Sequence, residues 1–479
     1  MIVDVVNSTF CAADIKSRAQ SHRTLARWIT IRLVIIVGIL IFNMSGDKME
    51  NENNHEMEVE QQPDDDSLDN EKQVYIPGVS RALKDGEELA FDPEAYKIFY
   101  SFETKWSCLS FDIVQDSLGD RSDFPLECYV VAGTQADKPK NNEIVVMGLK
   151  NLNTLEDEED IDEQSDEDSD SEDEKKNAVI HSVTISHYGG INRVKVQKLG
   201  DGIVCAVWND MGKVQLWNVT NALNECSKMT AASKDEKQTQ EKPLFSYSTK
   251  REGYALGWSK LKQGDFASGD QCRNIHVYRM HEGGTWAVDQ RALTGHSGKL
   301  IGFVEDVHWS PTEEGLLASC SCDGTIKLWD TRSSPANACV CTVDKAHSSD
   351  VNVLSWNPSD ALLVSGGDDA ELKIWSLKSI QFGQPVARFK YHSAPITSVE
   401  WLPQDATTFM ASAEDDQVTI WDIATEADSQ DAVEGVPPQL MFLHLGQKEV
   451  KEVHWHPQIS GLALTTSLDG FNVFKTINI

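Results

Sequence analysis

Two sets of residues in the second half of the chain have the types found in hydrolase active sites. They are His296, Ser319, Asp323 and Trp329, and His392, Ser412, Asp415 and Trp421. In such sites a histidine removes the proton of a serine hydroxyl while a carboxylate orients the histidine. A catalytic set occurs once per site, whereas this one recurs along the chain. The recurrence favours a structural role, since buried polar groups need hydrogen-bond partners and these residues supply one another.

Other motifs for catalysis or cofactors are missing from the sequence. It contains no phosphate loop, no HExxH pair and no Gly-x-Ser-x-Gly elbow. The pairs Cys320/Cys322 and Cys339/Cys341 have a spacing that could suggest zinc, but residues two apart on a strand simply share a face. We therefore expect no enzymatic activity, no cofactor and no metal.

The elements that position these sets form a repeat. An apolar strand ending in tryptophan precedes a small-residue strand, an aspartate turn and a strand with a closing aromatic residue. The closing residues Trp329, Trp375 and Trp421 are 46 positions apart. Weaker copies close at Met147, Trp217, Tyr278 and Phe474. Seven copies predict an all-β, seven-bladed β-propeller, here placed over residues 103–479.

Composition marks the segments outside the blades. The chain has 43 Lys and Arg against 76 Asp and Glu, a net charge of −33, which disfavours nucleic acid and favours basic protein partners. Residues 156–174 contain 14 acidic residues in 19 and, like the acidic segment 44–74, are expected to be disordered. Residues 225–242 are predicted to be a flexible polar insert, and residues 426–438 an acidic loop ending in two prolines.

The first 43 residues include a membrane-like segment. Residues 28–42 are mostly apolar and follow several basic residues, the order found in a signal or anchor segment. The uninterrupted run Leu33–Phe42 is shorter than the roughly 20 residues of a spanning helix. We expect residues 1–43 to be an upstream extension absent from the main working protein, which would begin at Met44 or Met49. A membrane-anchored or secreted propeller is the alternative.

From Val74 onward the chain resembles the glutamate-rich WD-repeat proteins, ribosome-assembly factors in the wider group of histone-binding WD-repeat proteins. The stretches that carry the resemblance are YIPG (75–78), CLSFDI (108–113), AGTQ (132–135), HYGGINRV (187–194) and HWHP (454–457). The resemblance implies a nuclear and nucleolar, monomeric WD-repeat propeller. It would act as an escort for large-subunit ribosomal protein number three, with histones as further partners and no contact with nucleic acid or membrane.

The resemblance also implies partner-binding residues. In the histone-binding relatives a histone helix lies between a long N-terminal helix and an acidic loop ending in Pro-Pro. Residues 75–102 are therefore expected to be an N-terminal helix region, although only the start of the helix, Asp92–Phe102, matches. An aromatic floor beside an acidic wall would suit an amphipathic basic helix. The predicted partner-binding residues are Tyr96, Phe99, Tyr100, Glu156, Asp157, Glu158, Glu159, Asp160, Asp166, Glu167, Asp168, Asp431, Glu434, Pro437 and Pro438.

An alternative interpretation is a substrate receptor of a cullin-type ubiquitin ligase. Trp329, Asp330 and Arg332 match the Trp-Asp-x-Arg pattern with which some WD-repeat proteins dock on the ligase adaptor. The sequence also leaves open whether serines in the acidic insert, which lie among carboxylates as acid-directed kinase sites do, are phosphorylated. These are Ser165, Ser169 and Ser171.

Overall fold

The computed structural model describes most of the chain beyond the N-terminal segments. The described residues are 36–37, 39–43, 73–82, 84, 87–155, 177–230, 233, 237–298, 302–426 and 435–479. The predicted acidic insert 156–174 and nearly all of the predicted acidic segment 44–74 lie outside them.

Strands dominate the described residues, as expected from the alternation of apolar and polar positions. Those that precede the first blade are β1 (Ile36–Val37), β2 (Ile39–Asn43), β3 (Gln73–Val74), β4 (Glu87–Phe91) and β5 (Tyr96–Glu103). β2 lies between β3 and β4 in a small antiparallel sheet.

Seven antiparallel sheets, each built on four strands, form the blades, which confirms the predicted seven-bladed propeller. The first blade contains β6 (Cys108–Ile113), β7 (Leu126–Thr134), β8 (Asn142–Leu152) and β9 (Val179–His187), and the second contains β10 (Ile191–Leu199), β11 (Gly202–Asn209), β12 (Lys213–Asn218) and β14 (Phe245–Ser248). The third blade contains β15 (Ala255–Trp258), β16 (Phe266–Gly269), β17 (Asn274–His281) and β18 (Thr285–Val288) with the short β19 (Leu293–Thr294), the fourth contains β20 (Val304–Trp309), β21 (Leu316–Ser321), β22 (Ile326–Asp330) and β23 (Cys339–Val343), and the fifth contains β24 (Val351–Trp356), β25 (Leu362–Gly367), β26 (Glu371–Ser376) and β27 (Ala387–Lys390). The sixth blade contains β28 (Ile396–Trp401), β29 (Thr408–Ala413), β30 (Val418–Asp422) and β31 (Leu440–His444), and the seventh contains β32 (Glu452–Trp455), β33 (Leu462–Thr466), β34 (Gly470–Thr476) and β5.

The seventh blade joins the two ends of the propeller, and it corrects the predicted N-terminal helix. Within Asp92–Phe102 only Pro93–Ala95 forms a short 3-10 turn, after which β5 runs antiparallel to β34. Ile98 and Tyr100 pack in one apolar cluster while the intervening Phe99 packs in another, the alternation of a strand. The free edge of β34 supplies the backbone partners that favour this conformation, and pairing removes an open edge from the ring.

The described residues of the predicted flexible insert 225–242 include regular structure, which corrects a second expectation. Helix α1 (Thr220–Lys228) extends into it and buries Ala222 and Cys226 against the first two blades. Strand β13 (Lys237–Thr239) then pairs in parallel with β9. The insert is ordered here because it buries apolar side chains and satisfies the edge of the first blade.

The apolar run Leu33–Phe42 contributes strands where it is described. β1 pairs in parallel with β31, and β2 pairs with β3 and β4. Within the described ranges, no helix has the length and apolar character needed to cross a bilayer.

Tryptophans at the ends of five first strands link neighbouring blades. Each ring nitrogen donates a hydrogen bond of 2.9–3.2 Å to a main-chain carbonyl on the first strand of the preceding blade. The pairs are Trp258 with Lys195, Trp309 with Gly257, Trp356 with His308, Trp401 with Ser355, and Trp455 with Glu400. The repeated tryptophan thus holds adjacent blades in register around the central channel.

Candidate partner-binding site

The first predicted polar set lies at the edge of the fourth blade, and its members are hydrogen-bonded to one another. His296 Nε2 lies 2.7 Å from Ser319 Oγ, and Trp329 Nε1 donates to the same oxygen over 2.8 Å. His296 Nδ1 lies 3.1 Å from Asp323 Oδ2. Burial raises the pKa of Asp323, but hydrogen bonds to His296 and Thr325 outweigh it and lower the pKa to about 2. The serine hydroxyl is thus shared by the histidine and the tryptophan, and the set ties the turn at Asp323 to the strands of the blade.

The fifth blade contains the same arrangement, which was not predicted from the sequence. His347 Nδ1 lies 2.7 Å from Asp369 Oδ1 and its Nε2 lies 2.8 Å from Ser365 Oγ, to which Trp375 donates over 2.9 Å. The signal in the sequence is a repeated His-Ser dipeptide whose serine N–H donates to the turn aspartate. The dipeptides begin at His296, His347 and His392.

In the sixth blade the predicted Ser412 is not the hydroxyl of the set. Trp421 Nε1 donates to Thr419 Oγ1 over 2.7 Å, and His392 Nε2 lies 2.9 Å from the same oxygen. Ser412 bonds Thr397 Oγ1 instead, over 2.8 Å. The position equivalent to Ser319 is Ala411, paired with Thr419 as Ser319 is paired with Lys327. Neighbouring residues on a strand point to opposite faces, so a shift of one position removed Ser412 from the set.

The predicted aromatic floor is split between two faces of β5. Tyr96 is 4% exposed, and its hydroxyl is hydrogen-bonded to His444 Nδ1 at 2.9 Å. Phe99 stacks on Phe91 with ring centroids 5.0 Å apart, whereas Tyr100 lies on the other face, where its hydroxyl donates to the carbonyl of Asn153. The three aromatic residues therefore do not form the single surface expected for a helix.

The acidic loop is described only at Glu426 and at its proline end. Asp431 and Glu434 lie outside the described residues, while Pro437 and Pro438 are half-buried. Val436 packs in the apolar core of the fifth and sixth blades, with Ile76 against the same cluster. Gly435 lies beside Val79, whose side chain is 44% exposed. The loop thus leaves the propeller next to the N-terminal segment 73–82.

Both acidic segments leave the propeller on the same face. The insert 156–174 connects β8 to β9, and the loop 426–438 connects β30 to β31, so each joins the third strand of a blade to the fourth. Because strands alternate in direction within every blade, the strand ends from which these connections leave lie on one side of the ring. The two blades that carry them, the first and the sixth, flank the seventh. The predicted acidic residues of the insert, Glu156 to Asp168, themselves lie outside the described residues.

A central cavity of about 820 Å³ opens on this face and contains an ion network that was not predicted from the sequence. The buried Glu452 Oε1 lies 2.9 Å from Arg193 Nη1 and 2.8 Å from Lys195 Nζ, and it accepts from His454 over 3.2 Å. Burial and Lys195 lower the pKa of His454, but Glu400 and Glu452 outweigh them and raise it to about 9. The network joins the second, sixth and seventh blades, and no short motif marks it.

The predicted ligase-adaptor motif is only partly accessible. Trp329 is fully buried in its polar set. Arg332 Nε lies 2.7 Å from Asp330 Oδ1, and the Arg332 side chain is 55% exposed. Of the three residues, Arg332 is the one that a partner could reach readily.

Within the described residues no group of three His, Cys, Asp or Glu side chains could hold a metal ion.

Comparison with known proteins agrees with this architecture. The family described as "Histone-binding protein RBBP4", whose members include a component of the CAF1 complex, matches residues 86–153, which span β4, β5 and most of the first blade. The family "WD domain, G-beta repeat" matches residues 287–330, 337–376 and 383–422. These three ranges end at the third strands of the fourth, fifth and sixth blades, the blades with complete polar sets.

Three relatives match over most of their length. The chain is 40% identical to Protein HEAT STRESS TOLERANT DWD 1 of Arabidopsis thaliana, covering 85% of this chain and 92% of the relative. It is 34% identical to Ribosome assembly protein rrb1 of Schizosaccharomyces pombe, covering 86% and 88%. It is 41% identical to Glutamate-rich WD repeat-containing protein 1 of Dictyostelium discoideum, covering 85% of each. The chain therefore belongs to the family of glutamate-rich WD-repeat proteins.

Proposed function

We propose that the protein is a non-enzymatic escort of strongly basic proteins in the nucleus and nucleolus. Its main client would be large-subunit ribosomal protein number three during ribosome assembly, with histones as a second class of client. The names of the relative in Schizosaccharomyces pombe and of the family matched at residues 86–153 support these two classes. A net charge of −33 suits partners that must be kept from nucleic acid until delivery.

The observation that carries the proposal is the position of the two acidic segments. Residues 156–174 and 426–438 join strands on one face of the ring, on the two blades beside the seventh. A basic client approaching this face would meet acidic chain on both sides of one blade. Its charge would be neutralised without a large apolar interface, since a dense run of carboxylates attracts Lys and Arg through charge complementarity.

We place a more specific client site between the acidic loop and the N-terminal segment 73–82. The exposed Val79 would supply apolar surface beside Gly435, and Asp431 and Glu434 would supply charge. This site replaces the expected groove along a helix, because β5 is committed to closing the propeller. An amphipathic basic segment of the client would lie there.

Affinity capture of the tagged full-length protein from nuclear extract, read by mass spectrometry, tests the proposal. Enrichment of the ribosomal protein and of histones over neutral abundant proteins is the expected result. Recovery of neither class at physiological salt would contradict it.

A second candidate role is docking on a cullin-ligase adaptor through Arg332, whose exposed guanidinium favours it. Arg332→Ala should then abolish capture of the adaptor while leaving client capture unchanged. Equal adaptor recovery by both proteins would exclude this role.

A further inference from the structure

A second cavity lies between the sixth and seventh blades, on the face opposite the acidic segments. It has a volume of about 330 Å³ and is lined by β4, β5, the connection from β31 to β32 and the turn between β33 and β34. These two connections join fourth to first strands and second to third strands, so they lie on the other side of the ring. The cavity is thus separate from the client site proposed above.

The wall of this cavity is aromatic and open to a partner. Phe91 and Leu89 line it and are 44% and 38% exposed. Phe91 stacks on Phe99, which fixes its ring, and Leu445 adds to the apolar lining. A fixed aromatic face next to solvent favours binding of a side chain with an apolar stem or a cationic head.

The side-chain amide nitrogen of Gln447, in the lining, has no hydrogen-bond partner among the described residues. Gln447 is 8% exposed, and its Oε1 accepts a 2.5 Å hydrogen bond from the Thr465 hydroxyl. Its amide nitrogen Nε2 is buried and, within the described part of the chain, donates to no acceptor. A buried donor left in this state costs free energy, which a bound acceptor oxygen would recover. A peptide carbonyl is an acceptor of the required kind.

Two carboxylates stand at the rim. Glu103 and Asp469 line the cavity, are exposed, and form no ion pair with any described residue. Together with the aromatic wall they select a cation, since a guanidinium can stack on Phe91 while its N–H groups reach a carboxylate.

We propose that this cavity binds an extended peptide segment of a partner protein through an arginine side chain. The arginine stem would lie against Phe91 and Leu445 and its guanidinium would meet Glu103 and Asp469. With the Gln447 side chain turned toward the cavity, a neighbouring main-chain carbonyl would accept from its Nε2. The site does not depend on the acidic segments or on the identity of the escorted client.

The probe for the test is a fluorescein-labelled heptapeptide of alternating glycine and arginine, titrated into the full-length protein with anisotropy as the readout. Its counterpart contains citrulline, the neutral isostere, in place of arginine. Raised salt screens the long-range pull of the acidic segments more than contacts inside the cavity.

The decisive variant is Glu103→Gln/Asp469→Asn, and its charge-matched control is Glu282→Gln/Asp360→Asn, at exposed positions away from the cavity. The rim variant should weaken binding of the arginine peptide by about tenfold and the control by less than about twofold. Phe91→Ala, at a residue exposed enough to leave folding intact, should weaken it by about two- to fivefold.

Equal loss in both double variants, or equal affinity for the citrulline peptide, would overturn the proposal. If deleting residues 156–174 removed peptide binding and the rim variant did not, the cavity would not be the site. The escort function would stand in that case.

Discussion

The hydroxyl oxygen of Tyr96, in the strand that closes the ring, lies 2.9 Å from Nδ1 of His444 in the sixth blade. Asn472 of the seventh blade contacts the other ring nitrogen at 3.2 Å, and burial lowers the pKa of His444 to about 3. The neutral His444 therefore contacts β5 through Tyr96 and β34 through Asn472. The relationship assigns Tyr96 to closure of the propeller.

Tyr96→Phe should therefore lower the free energy of unfolding by about 1–3 kcal/mol, because it leaves a buried ring nitrogen without its partner. Urea unfolding of the full-length protein measures the change, and client affinity should stay the same. An unchanged unfolding midpoint with lost client binding would return Tyr96 to the binding surface.

The polar sets give a second prediction. Asp323→Ala and Asp369→Ala should each cost about 1–3 kcal/mol, since each removes the acceptor of a buried histidine and of a main-chain N–H. Asp360→Ala, at an exposed aspartate, is the control and should stay within about 0.5 kcal/mol. Loss of a chemical activity without loss of stability would contradict the structural assignment.

The buried ion network around Glu452 gives a third prediction. Glu452→Gln removes the carboxylate shared by Arg193, Lys195 and His454 and should cost about 3–5 kcal/mol. Glu449→Gln, whose side chain is 59% exposed and pairs with Lys451, should change stability by less than about 0.5 kcal/mol. Similar unfolding midpoints for the two variants would mean that the network does not hold the blades.

The raised pKa of His454 predicts the pH dependence of that network. The pKa is about 9 in the folded protein against about 6.5 in an unfolded chain. The stability contributed by protonated His454 is therefore complete below about pH 6.5 and is lost as pH rises through 9. The stability difference between the natural protein and His454→Gln should shrink over this window. A difference that is constant from about pH 6 to about pH 9.5 would contradict the assigned charge.

The repeat makes the propeller predictable from the sequence, whereas contacts between distant segments cannot be predicted in this way. Trp329, Trp375 and Trp421 recur at a fixed interval, which local sequence shows directly. Asp92–Phe102 was predicted to be helical because its strand partner, β34, lies at the far end of the chain. The shift between Ser412 and Thr419 has a similar cause, since strand register depends on pairing that a single strand does not reveal.

The charged network around Glu452 could not be predicted from the sequence. Its members come from different blades, and each one by itself is a charged residue on a strand with no motif around it. The acidic segments are visible in the composition, but the face from which they leave follows only from the strand order. The sequence therefore indicates the charge of the proposed client-binding segments but not the geometry of the face that they leave.

Acidic segments that leave one face of the propeller are proposed to hold basic clients. The direct test measures the affinity of purified large-subunit ribosomal protein number three and of histone pairs across a salt series. The proteins compared are the full-length chain, a variant lacking residues 156–174, and the charge-reversal variant Asp431→Lys/Glu434→Lys. Exposed charges attract strongly only within a Debye length of about 8 Å at physiological salt, so removing acidic residues should flatten the salt dependence.

We predict that the deletion weakens client binding by about tenfold or more and flattens the salt dependence, with the unfolding midpoint unchanged. Charge reversal in the loop should slow association, with folding intact. If the deletion and the charge reversal both left affinity and salt slope equal to those of the full-length chain for both clients, the acidic segments would not be the binding elements.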